Sequence, residues 1–247
     1  MGEADISWLS QPFDRFSSQL EAISSSLRTT KSAVESLRLT ARLVQLLARF
    51  DPPVEVTQAE IAAFERLADD AKPLLESDFA LAHSLSTLAT WSALEALVHE
   101  LVAGVIWALP RKLAEKHRDK LKVPVLIALS GDDERVGWTA MDELRRNLAS
   151  GLKAGIGQFE SLLDAVGLGG AVPDALRREM VEFCEVRNVL AHKSGIVDRR
   201  AKDACPYLPE EAGARILVGS TRFDGYFRNA RDYSVLIADR LPAFVGS

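Results

Sequence analysis

Apolar residues recur at alternating spacings of three and four near the start of the chain. The positions are Phe13, Phe16, Leu20, Ile23, Leu27, Thr30, Val34, Leu37, Ala41, Val44 and Ala48. This spacing predicts one long helix over residues 12–50 with a narrow apolar seam. Such a helix cannot bury its seam alone, so we expect a partner helix, from the same chain or from a second copy. The run Asp51-Pro52-Pro53 should end it, because a residue before proline avoids the helical conformation.

Two further helices are predicted before residue 110. Thr57-Gln58-Ala59-Glu60 has the pattern of a capping box and should open a helix that ends near Pro73. Ser77 or Asp78 is then expected to cap a long apolar helix over residues 79–109. Polar residues interrupt that apolar stretch, so we expect a buried helix of a bundle and not a membrane span.

The second half of the chain also has helical patterns, separated by glycines and prolines. We predict an irregular connection over residues 123–137 and helices over residues 138–166, 173–193 and 221–241. The run Ile216-Leu217-Val218 is expected to form one short strand. No alternation of strands and helices and no glycine-rich nucleotide-binding motif occurs. The expected fold is therefore an all-α bundle, divided into an N-terminal helical segment (residues 1–76) and the main bundle (residues 77–247).

Composition narrows the range of functions. The 247 residues carry a net charge of -5, which argues against a broad basic surface for nucleic acid. Two cysteines and four histidines without paired spacing argue against a structural zinc site, so we expect no metal and no cofactor. The first residues include Glu3 and Asp5 and lack a basic start, which is not typical of a signal peptide. We therefore expect a cytoplasmic protein without a membrane anchor.

One helix carries the candidate chemistry. On the predicted helix over residues 173–193, Arg187 falls within an apolar stripe formed by Leu176, Met180, Phe183 and Leu190. An arginine on a core face is costly unless an acid pairs with it. Glu95 is the expected partner, because the apolar helix over residues 79–109 contains few acids.

A second line of the same helix collects Glu185, Asn188 and His192, which follow one another at helical spacing. Arg187 and His192 lie about 140° apart around the helix axis, so they do not converge within one helix. If both act on one substrate, a twofold axis near this helix would bring together the Arg of one copy and the His of another. His192 lies in the last turn, where the helix dipole favours an imidazolium ion and hence an anionic substrate.

These residues carry a resemblance to a known family. Arg187-Asn188-Val189-Leu190-Ala191-His192 resembles the RNxxxH form of the RxxxxH motif of HEPN domains, and the likeness extends over residues 79–241. Further similar features are Lys193-Ser194-Gly195-Ile196-Val197-Asp198, Cys205-Pro206-Tyr207-Leu208, the last helix with Tyr226 and Tyr233, and Ser92-Ala93-Leu94-Glu95 in the apolar helix. The resemblance implies a helical bundle, commonly a homodimer, that acts as a metal-independent endoribonuclease in toxin–antitoxin or antiviral defence systems.

The resemblance also implies a mechanism. An RNA 2′-OH would attack the adjacent phosphate, with His192 in proton transfer, Arg187 holding the phosphate and Asn188 orienting either residue. Such enzymes can have a neutralising partner or antitoxin protein. In members that a nucleotidyltransferase antitoxin inactivates, a tyrosine stands two residues after the histidine. That position is Ser194 here, so this form of control is not expected.

Several further side chains near the motif have more than one interpretation. Lys193, Arg199 and Arg200 are candidates for RNA contacts, although a solvated loop is the simpler interpretation. Cys184 is interpreted as a small core residue and not as a nucleophile. The alternative function is a HEPN-like dimerisation or scaffold module, or an RNA-binding module, without catalysis.

Overall fold

The computed structural model describes residues 6–47, 57–114, 117, 133–149 and 155–246. These residues form an all-α fold, as predicted, and contain no β-strand. A 3-10 turn at Ser7–Ser10 precedes the first helix, and another at Pro110–Lys112 follows the third. The helices are α1 (Gln11–Leu47), α2 (Gln58–Glu76), α3 (Ala80–Ala108), α4 (Asp133–Ala149), α5 (Gly157–Ala165), α6 (Asp174–His192), α7 (Arg199–Ala204), α8 (Ser220–Ala238) and α9 (Leu241–Gly246).

The apolar helix α3 lies at the centre of the bundle. It packs against α1, α4, α5, α6 and α8. Its side chains Leu94, Val98, Leu101, Val102 and Val105 have no exposed surface. By length and composition alone α3 could cross a membrane, but 67% of its most apolar window is buried inside the fold. A helix that is apolar on every side is typical of the core of a bundle.

The described seam positions of α1 are buried or half-buried, as the spacing predicted, except Thr30, which is exposed. Phe16, Leu20 and Leu27 belong to the main core, together with residues of α3. Further along α1, Val34 packs with Ala71 of α2 in a smaller cluster. The partner helices for the seam therefore come from the same chain. The division at residue 76 stays a prediction, although the first half of α1 shares the core of the main bundle.

Local capping signals had mixed outcomes. Thr57 and Glu60 form the predicted capping box. The Thr57 hydroxyl accepts a hydrogen bond from the Glu60 backbone N–H, and the Glu60 carboxylate accepts one from the Thr57 backbone N–H. The expected cap of α3 by Ser77 or Asp78 is wrong. Asp78 and Phe79 have left-handed backbone angles, and the Asp78 carboxylate accepts from the backbone N–H of Ser220, at 2.5 Å. Asp78 therefore caps α8, which is distant in sequence.

The predicted helix over residues 138–166 is wrong as a single element. The structure has α4, which begins at Asp133, and the separate helix α5, which begins at Gly157. Gly155 has a φ angle of +66° and Ile156 continues a turn, so helical geometry cannot run through this point. Residues 123–132 of the expected irregular connection lie outside the described residues, and residues 133–137 belong to α4.

The predicted strand over residues 216–218 is also wrong. The segment pairs with the chain that follows α6 only through an isolated antiparallel bridge between Ile196 and Arg215. Backbone hydrogen bonds from Ile216 to Gly195, at 2.8 Å, and from Val197 to Ala214, at 2.9 Å, flank this bridge. The paired stretch is too short to form a β-ladder, but it anchors the chain at the end of α6.

Aromatic side chains fix α6 against its neighbours. Trp91 of α3 meets Phe183 of α6 edge-on, with ring centroids 5.1 Å apart. Phe183 in turn stacks on Tyr226 of α8, with centroids 4.8 Å apart. The Tyr226 hydroxyl donates to Glu182 of α6 at 2.8 Å. These contacts set the rotation of α6 and therefore decide which of its side chains face solvent.

We predict that Leu27→Ala lowers the free energy of unfolding by about 2–4 kcal/mol, because it leaves a cavity in the core. Leu39→Ala on the same helix should change it by less than about 0.5 kcal/mol. Leu27 is 9% exposed and Leu39 is 58% exposed. Urea denaturation of both variants checks this expectation. Equal losses would mean that Leu39 is covered in solution.

Candidate functional site

Helix α6 positions the motif. Pro173 precedes its first residue, Asp174, and Gly195, at a φ angle of +78°, terminates the turn after His192. The core face of α6 consists of Met180, Phe183, Val186 and Val189, all buried. The helical wheel placed Arg187 within the apolar stripe. In the structure Arg187 lies at the edge of the core face, because the buried Val186 and Val189 shift the centre of that face away from Arg187.

Arg187 faces Glu95, as predicted. Its Nη2 lies 3.4 Å from Glu95 Oε2, and its Nη1 donates to Asn188 Oδ1 at 3.2 Å. The two side chains are 24% and 26% exposed, so water reaches both ends of this ion pair. The Asn188 amide group also donates to the Cys184 sulfur, at 3.7 Å. Asn188 therefore connects Arg187 to the neighbouring cleft.

This neighbouring cleft, which we call the His192 cleft, encloses about 630 Å³ between α6, α7 and the start of α5. It is lined by Gly155, Gln158, Cys184, Glu185, Asn188, Val189, His192, Lys193, Asp198, Arg200, Ala201 and Ala204. The structure thus brings together Glu185, Asn188, His192, Lys193 and Arg200 from the predicted site. Arg187, Glu95 and Arg199 lie outside the lining.

The cleft contains charges of both signs. Lys193 forms an ion pair with Asp198, with Nζ and Oδ2 3.1 Å apart. The hydrogen bond from the Ala201 backbone, together with Lys193, holds the pKa of Asp198 below its usual range. Burial raises the pKa of Glu185, while Arg200 and Asn188 oppose this shift. The acids of the cleft therefore partly neutralise the cations that an anionic ligand would contact.

Helix α7 was not expected from the sequence. Asp198 begins it, because its carboxylate accepts from the backbone N–H of Ala201 at 2.8 Å. An aspartate ahead of a helix-forming run is an N-cap signal that could have revealed this element. Arg199 and Arg200 therefore stand on a short helix and not on a loop. Gln158, contributed by α5, also lines the cleft without any sequence signal.

Cys184 lines the cleft, but its environment opposes a nucleophilic role. Burial raises the pKa of its thiol to about 11, with Glu185 adding to the shift. Since the thiolate is the reactive form, the neutral thiol is a weak nucleophile at ordinary pH. The sequence-based interpretation of Cys184 as a packing residue fits this environment.

His99 lies one helical turn after Glu95 on α3. His99 is half-buried, and its buried Nε2 atom has no hydrogen-bond partner among the described residues. Burial lowers the pKa of His99, which keeps its ring neutral and reduces the cost of that position. His83 is fully buried, with its ring 5.6 Å from that of Phe223.

A second cleft, of about 470 Å³, was missed by the sequence analysis. Trp8, Trp107 and Trp138 line it, with the ion pair of Arg15 and Glu100 at its side, 2.6 Å apart. The three tryptophans are far apart in sequence, so no local pattern groups them. No motif residue lies in this cleft.

Comparisons with known proteins add no assignment to this geometry. No family model, curated protein or solved structure matches the chain. Within the part of the chain that the structure describes, no group of three or more His, Cys, Asp or Glu side chains could hold a metal ion.

We predict that Arg187→Ala changes the free energy of unfolding by at most about 1 kcal/mol, because its ion pair is partly solvated. Arg222→Ala is the matched contrast. Arg222 is 17% exposed and contacts both Glu182 and Glu210. Its removal should cost about 3 kcal/mol, since it leaves two acids without their cation. Thermal melts of both variants measure the difference, and a large loss for Arg187→Ala would make it a structural residue.

We predict that iodoacetamide alkylates Cys184 roughly a hundredfold more slowly at pH 8 than it alkylates an unperturbed cysteine. The rate should keep rising until about pH 11, where the thiol ionises. Mass spectrometry of the peptide that contains Cys184 follows the reaction, and the chain unfolded in urea is the control. Fast alkylation of the folded protein at pH 7 would contradict the assignment.

Proposed function

We propose that the chain is a metal-independent endoribonuclease of HEPN type. The observation that carries this proposal is the placement of Asn188 and His192 in one cleft with Lys193 and Arg200, while Asn188 also contacts Arg187. A histidine, a polar amide and cations in a cleft suit a phosphodiester substrate. Because acids neutralise part of the positive charge, the cleft would select RNA by its shape and by whether it can enter, and not by strong electrostatic attraction to any RNA.

In the proposed reaction, the 2′-OH of RNA attacks the adjacent phosphorus and the 5′ oxygen of the next nucleotide leaves. His192 takes part in proton transfer, since its exposed ring lies in the last turn of α6 and can reach substrate. Arg187 offsets the charge that develops on the phosphate oxygens. Asn188 orients Arg187 through their hydrogen bond. The products are a 2′,3′-cyclic phosphate and a free 5′-OH.

The position of Arg187 supports a composite cleft in a homodimer. Within one chain Arg187 is not part of the cleft lining, whereas Ala191, between Arg187 and His192 on the outer face of α6, is exposed. A small exposed residue allows a second copy of α6 to approach closely. A twofold axis there would place the Arg187 of one copy beside the His192 of the other.

An apolar patch near the motif supports the same dimer face. Leu81 and Leu85 on α3 and Leu217 before α8 are 67%, 58% and 61% exposed. They line one surface groove together with Leu190 of α6. Exposed leucines grouped in this way are costly in water and are typical of an interface. We propose that the second copy covers them.

The cellular setting follows from the proposed activity. An enzyme that cuts RNA must be restrained, so a neutralising protein partner and a role as a toxin or antiviral effector in the cytoplasm belong to the proposal. The proposed mechanism assigns no role to a metal ion or other cofactor.

The alternative proposal is a HEPN-like scaffold or RNA-binding module without catalysis. The distal half of α1 favours it, because Leu39, Leu43 and Leu46 are all more than half exposed at helical spacing. Such a stripe suits contact with another protein. This alternative leaves His192 without a chemical role.

RNA cleavage in the presence of EDTA separates the two proposals. We expect the purified protein to cut mixed single-stranded RNA and to leave 2′,3′-cyclic phosphate ends, detected by mass spectrometry. His192→Ala should lower the rate by about 100-fold or more, since general acid–base catalysis contributes at least that much. Binding of RNA without cleavage by any variant would favour the alternative.

A mixing experiment tests the composite cleft. Arg187→Ala and His192→Ala should each be inactive, but subunit exchange between them should restore about a quarter of wild-type activity. Half of the dimers would then be mixed, and each would contain one intact Arg–His combination. Sedimentation of the mixture confirms that dimers are present. No recovery in mixed dimers would place the Arg and His of one chain in the same active site.

A further inference from the structure

Cleavage by a 2′-OH requires two proton transfers. A base must remove the proton from the attacking hydroxyl, and an acid must deliver one to the departing 5′ oxygen. His192 supplies one of these roles. The arginine keeps its proton under all ordinary conditions and Asn188 has none to exchange, so the motif leaves the other role open.

We infer that Glu185 is the second proton-transfer group, acting as the general base that removes the 2′-OH proton. This inference rests on the proposed function. Glu185 and His192 line the same cleft from α6, with Asn188 between them. They stand seven residues apart, which places their backbones about 10 Å apart along the helix axis. Side chains that lean toward each other from these positions can reach opposite sides of one phosphate.

The surroundings of Glu185 suit a base better than those of the other acid in the cleft. Asp198 accepts a hydrogen bond from the Ala201 backbone and pairs with Lys193, both of which stabilise its ionised form and weaken it as a base. Burial raises the pKa of Glu185, so its carboxylate binds a proton more readily. Glu185 thus combines a position beside His192 with higher basicity.

Charged groups from the neighbouring elements limit that shift. Arg200 on α7 lowers the pKa of Glu185 and Asp198 before α7 raises it. On α6, Asn188 lowers this pKa through its side chain, while the Cys184 thiol stays neutral. The α5 side contributes Gln158, which carries no charge. Arg200 and Asn188 therefore favour the ionised form of Glu185, which is the form that acts as a base.

The proton balance of the step is complete. The Glu185 carboxylate takes the 2′-OH proton as the oxygen–phosphorus bond forms, and the imidazolium of His192 gives its proton to the 5′ oxygen as the old bond breaks. The cleft ends with a protonated Glu185 and a neutral His192. Arg200 faces Glu185 and can hold a phosphate oxygen once the carboxylate is neutralised.

The test compares Glu185→Gln with Glu179→Gln, which removes the same charge from an exposed position on α6 outside the cleft. We expect Glu185→Gln to lower kcat by about 100-fold or more, with equal thermal stability and RNA affinity. Wild-type activity should rise with pH as Glu185 ionises. The acidic limb should disappear in Glu185→Gln and persist in Glu179→Gln.

An RNA with sulfur in place of the 5′ leaving oxygen assigns the two roles, because a thiolate leaves without an acid. We expect this substrate to rescue His192→Ala and not Glu185→Gln. Rescue of Glu185→Gln instead would overturn the assignment of Glu185 as the base. Full activity of Glu185→Gln on ordinary RNA would refute the inference while the proposed function stands. An inactive wild-type protein would refute the proposed function itself.

Discussion

The burial of most of the surface of α3 is the constraint on which the rest of the structure depends. An apolar helix of this length is costly to expose to water, so other helices cover most of it, while Leu81 and Leu85 near its start stay exposed. Its polar residues do not break this rule. The hydroxyls of Thr87 and Thr90 donate to backbone carbonyls of α3 itself, and His83 is neutralised by its environment because burial lowers its pKa. The positions of α1, α4, α6 and α8 all follow from the need to enclose this helix.

The same requirement determines what α6 can display. Once Phe183 is held between Trp91 and Tyr226, the rotation of α6 is set and the opposite face must be solvated. Arg187 then meets Glu95 of α3 at the margin, and Glu185 and His192 project into a cleft closed by α7. The core thus positions the candidate chemistry without contributing to it. Packing of this kind holds side chains in place without requiring loops to order first.

The pairing of positive and negative side chains in the cleft agrees with the acidic composition of the chain. Lys193 is matched by Asp198, and Arg200 faces Glu185, so the cleft offers little net attraction to a polyanion. A net charge of -5 is consistent with a site that engages a few phosphates at close range. Such a site depends on geometry, and the proposed second copy would add its Arg187, which lies outside the cleft lining within one chain. Dimerisation would then complete the site and also cover the exposed leucines of α3.

The sequence alone determined the features that depend on local periodicity. It predicted the seam of α1, the capping box at Thr57, the helical bounds of α6 and the separation of Arg187 from His192 around one helix axis. It also named Glu95 as the partner of Arg187, because a buried cation needs an acid and few were available. These predictions succeed because helix geometry relates neighbouring residues in a fixed way.

Only the tertiary structure decided which distant groups meet. Asp78 caps α8 and not the helix that follows it, since left-handed backbone angles turn its carboxylate toward Ser220. Asp198 and Arg200 close the cleft because the bridge at Ile196 folds the chain back beside α6. The burial that makes Glu185 a stronger base arises from this long-range packing. Desolvation depends on everything that surrounds a group, and residues distant in sequence supply much of those surroundings.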